Sequence, residues 1–96
     1  MTQTSRIYGQ VLFELGVEKS TVNDAKKIFA ESKELFDALT SPVVPLKNKL
    51  NIIDKVFGGA GFATIFVDFL KQVCENHRMQ NIMDILESYN IYYNEA

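Results

Sequence analysis

Few residues in this chain are of types that could do chemistry, and their spacing is poor for it. His77 is the only histidine and Cys74 the only cysteine, three positions apart in Cys74-Glu75-Asn76-His77. A closed zinc site needs four ligands, so both residues read as structural. Cys74 behaves as a small core hydrophobe, and Asn76-His77-Arg78 is a turn between helices, with Arg78 starting or bracing the next one. Gly58-Gly59-Ala60-Gly61 has the small residues of a phosphate loop. Such a loop is completed by Lys and Ser or Thr opening a helix that follows a strand, whereas Phe62 comes next here. Tyr89, Tyr92 and Tyr93 could stack on bases, but no basic groove accompanies them. The carboxylates are scattered over polar faces, so no pair is placed for general acid and base work. No Ser, His and Asp set suggests itself either. The expectation is a non-catalytic protein with no metal and no cofactor.

Composition narrows the remaining classes. The 96 residues suffice for one domain and one small core. A hydrophobic fraction of 47%, with 23% charged residues and a net charge of −2, is that of a folding globule rather than a disordered chain. The slight acidity, with pI near 5.3, gives no general attraction to nucleic acid. A lone cysteine suits a reducing compartment and staples nothing, so packing must supply the stability. No apolar run approaches the roughly 20 residues that span a bilayer, and Met1 to Arg6 lack the apolar stretch of a secretory signal. The expected location is therefore cytoplasmic, with no direct membrane insertion.

Two breaker clusters divide the chain, Pro42 to Pro45 and Gly58 to Gly61. Elsewhere apolar residues recur every three or four positions, the helical period, and nothing alternates as strands do. A first helix is expected from about Ser5 to Val17. A second starts near Ser20 or Thr21, where Thr21 and Asp24 suit a capping box, and its stripe from Val22 to Leu39 breaks near Ser32-Lys33. Ser41 to Pro45 should be extended, because each proline disfavours helix at the residue before it, and Pro45 fits the first turn of the next helix. Leu46, Leu50, Ile53 and Phe57 form that helix's buried face. A very apolar helix follows from Phe62 to Glu75, and a last one from about Met79 to Asn94 turns Ile82, Met83, Leu86, Tyr89 and Tyr93 inward. The fold class is all-α, a compact antiparallel bundle of five to six short helices.

Two of these helices carry more apolar surface than one contact needs. Around the Phe62 helix the polar residues Thr64, Asp68, Lys71 and Glu75 share a narrow stripe, and apolar residues cover the remaining roughly 200°. Phe62, Phe66, Leu70 and Val73 can face a core, leaving Ile65, Phe69 and Gln72 on a flank. On the first helix Leu12 and Phe13, between Gly9 and Gly16, suit close packing, while Tyr8, Val11 and Leu15 lie on an adjoining edge. Either the two edges pack on each other, or they form a groove for an amphipathic helix from another protein.

In order along the chain, Tyr8-Gly9-Gln10-Val11-Leu12-Phe13-Glu14-Leu15, Ser41-Pro42-Val43-Val44 with Lys49 and Ile52-Ile53, Phe69-Leu70 and Glu75-Asn76-His77-Arg78 resemble one known family. Ile85, Tyr89 and Asn94-Glu95 extend the resemblance. The family is the delta subunit of bacterial F-type ATP synthase, called oligomycin sensitivity conferral protein in mitochondria. The resemblance covers nearly the whole chain but only the amino-terminal domain of the family, so residues 1–96 are expected to be one helical domain without the family's second. It departs at Gly9, where alanine is usual, and at Pro45, where a capping Ser or Thr is common.

The resemblance implies a six-helix bundle at the crown of the catalytic head, gripping the N-terminal helix of an alpha subunit between its first and fifth helices. Tyr8, Val11 and Leu15 would meet that partner on one side, and Ile65, Phe69 and Gln72 on the other. The implied role is that of a stator, linked to the b subunit of the peripheral stalk through the second domain and peripheral to the membrane as part of a membrane complex. The alternative is a generic helical adaptor that binds some other amphipathic helix.

Overall fold

Thr2 opens the fold: its side chain accepts the Ser5 backbone N–H at 3.1 Å, capping α1, which spans Gln3–Glu14. The helix thus starts two residues before the expected Ser5. It also stops short of Val17, because Gly16 adopts φ 76°, the left-handed conformation that turns the chain out of a helix. α2 spans Lys19–Glu31. Glu18 occupies its capping position without a side-chain bond to the helix backbone, so the Thr21–Asp24 capping box does not form. The break near Ser32 does occur: the Ser32 hydroxyl accepts from Leu35 N–H and opens α3, Lys33–Thr40.

The computed structural model describes residues 2–95. Between α3 and α4, Leu46–Ile53, the chain is extended at Ser41 and at Pro45 but turns between them. Pro45 sits just before the helix rather than inside its first turn, and its carbonyl receives the N–H groups of Asn48 and Lys49. α4 continues into a wider π-type turn, Asp54–Gly58, closed by the Gly59 N–H on the Asp54 carbonyl. This bulge seats Phe57, fully buried, against the rings of Phe62 at 5.2 Å and Phe29 at 5.4 Å. α5 spans Thr64–Glu75, and a 3-10 turn at Met79–Asn81 leads into α6, Ile82–Glu95.

The six helices are all-α as the periodicity requires, and no strand occurs among the described residues. α6 is the central rod. α2 runs antiparallel to it, shown by Lys26 on Glu87, Asn23 on Asn90 and Lys19 on Asn94. α1 runs in the same sense as α6, with Gly9 level with Ser88 and Phe13 with Tyr93. Gly9 is what permits that closeness: a Cβ there would stand 2.5 Å from Ser88 Cβ and 2.9 Å from the Tyr89 backbone nitrogen. Tyr89, fully buried, ties the α1–α2 loop to the rod by donating its O–H to the Val17 carbonyl at 2.5 Å. Two expected core residues lie outward. Leu46 is exposed because α4 buries itself through Ile53 and Phe57 farther along, and Tyr93 is exposed in the final turns of α6, while Ile85 and Ser88 point inward instead.

Candidate functional site

α1 meets two neighbours in different ways. It lies backbone to backbone on α6 through Gly9, and it reaches α5 through side chains. The Tyr8 and Phe69 rings meet edge to face, with centroids 6.3 Å apart. At the Tyr8 hydroxyl a polar relay crosses between the helices. Asn76 donates to that hydroxyl at 2.7 Å, and Gln72 donates to the Asn76 side-chain carbonyl at 3.2 Å. Asn76 sits one helical turn beyond Gln72, at the end of α5, so it faces the same way.

This cross-link joins the inner margins of the two apolar edges. At about 100° per residue, Val11 lies farther out than Tyr8 on α1, and Ile65 and Gln72 lie farther out than Phe69 on α5. The solvent exposures follow that order. Tyr8 is half-buried and Phe69 is buried at 6%, whereas Val11, Leu15 and Ile65 are 43%, 41% and 44% exposed and Gln72 is open. The two edges therefore touch at their inner margin and leave their outer residues exposed. Tyr8 and Phe69 pack on each other, one of the two readings of the sequence, while Val11, Leu15, Ile65 and Gln72 are exposed.

Phe69 is thus not on an open flank beside Ile65; it underlies Tyr8 because its place on the wheel is nearer to Val73 than that of Ile65. Two contributors were missed from sequence. Ile7, 53% exposed, precedes Val11 by one turn and extends the α1 bank. Asn76 was read only as part of a turn; its spacing from Gln72 was the available signal.

The chemistry-bearing residues take structural places. The Cys74 thiol is buried, and burial raises its pKa above the ordinary thiol value, with nearby Lys49 opposing. His77 adopts φ 58° and ends α5 in a Schellman cap, its own N–H on the Cys74 carbonyl and the next N–H, from Arg78, on the Val73 carbonyl. No group of three or more His, Cys, Asp or Glu comes together among the described residues. Gly58 to Gly61 form the turn before α5, with Gly61 at φ 83°. Tyr89 is core, and Tyr93 lies under the Lys19 ammonium at 5.0 Å. No helix of the described residues is long and apolar enough to cross a membrane.

Residues 4–96 match the family model described as ATP synthase delta (OSCP) subunit. Among similar proteins, the ATP synthase subunit delta of Chlorobium phaeobacteroides is 31% identical, the match covering 98% of this chain and 56% of that protein. The subunit delta of Bacillus licheniformis is 29% identical over 88% of this chain and 49% of its own length. That of Priestia megaterium is 25% identical over 93% of this chain and 52% of its own. The chain spans about half the length of these curated relatives. No solved structure matches.

Proposed function

Because the chain belongs to the ATP synthase delta (OSCP) subunit family, we propose that it serves as a non-catalytic stator element whose α1–α5 groove holds the N-terminal helix of an alpha subunit. The observation that supports this reading is the open apolar pair of banks above the Tyr8–Phe69 floor. Val11 and Leu15 stand exposed on one side and Ile65 on the other. A helix laid along such a groove presents side chains at i, i+3, i+4 and i+7 to both banks.

The energetics suit a joint assembled from a preformed floor. Fully burying a large apolar side chain is worth about 1.5–3 kcal/mol. With some four-tenths of Val11, Leu15 and Ile65 still exposed, covering all three contributes about 2–4 kcal/mol from this side of the interface. The partner's own apolar face adds a comparable amount, offset by the cost of ordering a flexible end. The Tyr8–Asn76–Gln72 relay fixes the floor in advance, so little of that cost falls on this domain.

On this reading the clamp lets the head resist torque while the rotor turns. The resemblance assigns the b subunit of the peripheral stalk to the family's second domain, and the grip on the alpha subunit to the domain that residues 1–96 resemble. The location follows as peripheral to a membrane complex. Mixing the chain with a peptide copying the alpha subunit's amino terminus tests the grip. The peptide should gain helical circular dichroism, and Val11→Asp should abolish the gain while the domain stays folded. A peptide that stays unstructured at saturating protein refutes the proposal.

A further inference from the structure

Beyond its apolar banks, the groove has a border of one sign. Going outward from Tyr8 on α1, the wheel passes Val11 and Ile7 and then reaches Glu14. Going outward from Phe69 on α5, it passes Ile65 and Gln72 and then reaches Asp68 and Glu75. All three carboxylates are exposed, and none is in an ion pair among the described residues. The nearest cations on these two helices stand beyond the carboxylates. Arg6 is farther round α1, and Lys71 on α5 is engaged with Asp54 at 2.6 Å.

Helix polarity strengthens the same field. Glu14 and Glu75 are the last residues of α1 and α5, at the negative ends of the two helix dipoles, and neither last turn contains a basic residue. A carboxylate at that end is the unfavourable arrangement for an isolated helix. Here it occurs at both helices, and neither carboxylate is in an ion pair among the described residues. A cation on a bound helix would complement this field.

Resting on the clamp reading, we propose that the groove selects a partner helix whose apolar stripe is bordered by Lys or Arg on both sides, pairing with Glu14 on one bank and with Asp68 and Glu75 on the other. The apolar stripe supplies the hold, and the cations supply register and choice of partner, since like charges set against these carboxylates repel.

Calorimetric titration with a peptide of the alpha subunit's first 25 or so residues, at about 10 mM and about 1 M NaCl, tests this. The Kd should rise about tenfold with salt, the combined effect of three exposed ion pairs being screened. The variant carrying Glu14→Gln, Asp68→Asn and Glu75→Gln should keep its melting temperature, bind at low salt about as weakly as the parent at high salt, and lose most of its salt dependence. A parent Kd that ignores salt, or a variant as salt-sensitive as the parent, overturns the charge assignment and leaves the clamp standing. No binding at either salt overturns both.

Discussion

Replacing Gly9 by alanine sets two well-known effects against each other, and the structure decides between them. Alanine in a helix interior is favoured over glycine by about 1 kcal/mol, and alanine is what the family resemblance usually has at this position. In this chain, however, the new methyl would stand 2.5 Å from Ser88 Cβ, 2.6 Å from Ser88 Oγ and 2.9 Å from the Tyr89 backbone nitrogen. A hydroxyl can rotate away, but a Cβ and a main-chain nitrogen cannot unless α1 lifts off α6. Overpacking of this kind costs about 1–3 kcal/mol, and three contacts this short belong in its upper half. The net expectation is a loss of about 1–2 kcal/mol, or about 5–15 °C in melting temperature for a domain of this size. Ser88→Gly should restore part of the loss in the double variant, because two of the three clashing atoms disappear, whereas Ser88→Ala should not, because the Cβ stays. Thermal melts of the parent, the three single variants and the two double variants close both cycles. A Gly9→Ala chain that melts higher than the parent would show that α1 is not held as closely on α6 as described.

His77→Gly should stabilise the domain by about 0.5–1 kcal/mol in urea unfolding, since φ 58° strains an L-residue and suits glycine; destabilisation would argue against the left-handed cap. Burial raises the pKa values of Cys74 and Tyr89 above their ordinary 9.0 and 10.0. Their neutral forms therefore contribute stability that is complete below those values and is lost as pH rises through the higher folded ones. Unfolding followed from pH 8 upward should show that decline, and Tyr89→Phe should shrink it while costing about 1 kcal/mol at neutral pH for the lost bond to Val17. Val11→Asp should change stability by less than about 0.5 kcal/mol, being at the surface. Phe69→Asp should cost more than about 3 kcal/mol, because its carboxylate would replace a ring packed under Tyr8. Equal melting temperatures for the two variants would contradict the assignment of Phe69 to the floor.

The helical period carried most of the architecture, because each stripe has to be buried somewhere. Val22, Ala25 and Phe29, then Leu35 and Leu39, followed the core face, and Ser32 announced its own break by capping a second helix. Ends were less legible where local chemistry competes. Thr2 and Thr21 are both plausible caps by type, yet only Thr2 bonds to its helix, because Glu18 already holds the position before α2. The π-type turn at Asp54–Gly58 has no signature in residue spacing; it follows from seating Phe57 among Phe29, Phe62 and Phe66. At the groove, the surplus of apolar flank was visible in the sequence, but the wheel could not say how deep each residue sits. That depended on where Gly9 lets α1 lie, which put Tyr8 and Phe69 at the floor and left Val11, Leu15 and Ile65 on the banks. The Tyr8–Asn76 bond joins residues 68 positions apart, and nothing local encodes it.

The most direct measurement is a two-dimensional amide NMR titration of the isotope-labelled chain with the alpha-subunit amino-terminal peptide. The largest shifts should fall on Ile7, Val11, Leu15, Ile65 and Gln72, with the Asn76 side chain following and Val43, the most exposed apolar residue in the loop before α4, unmoved. Shifts centred on Val43 and Leu46, or none at saturating peptide, would contradict the groove between α1 and α5 as the partner's seat.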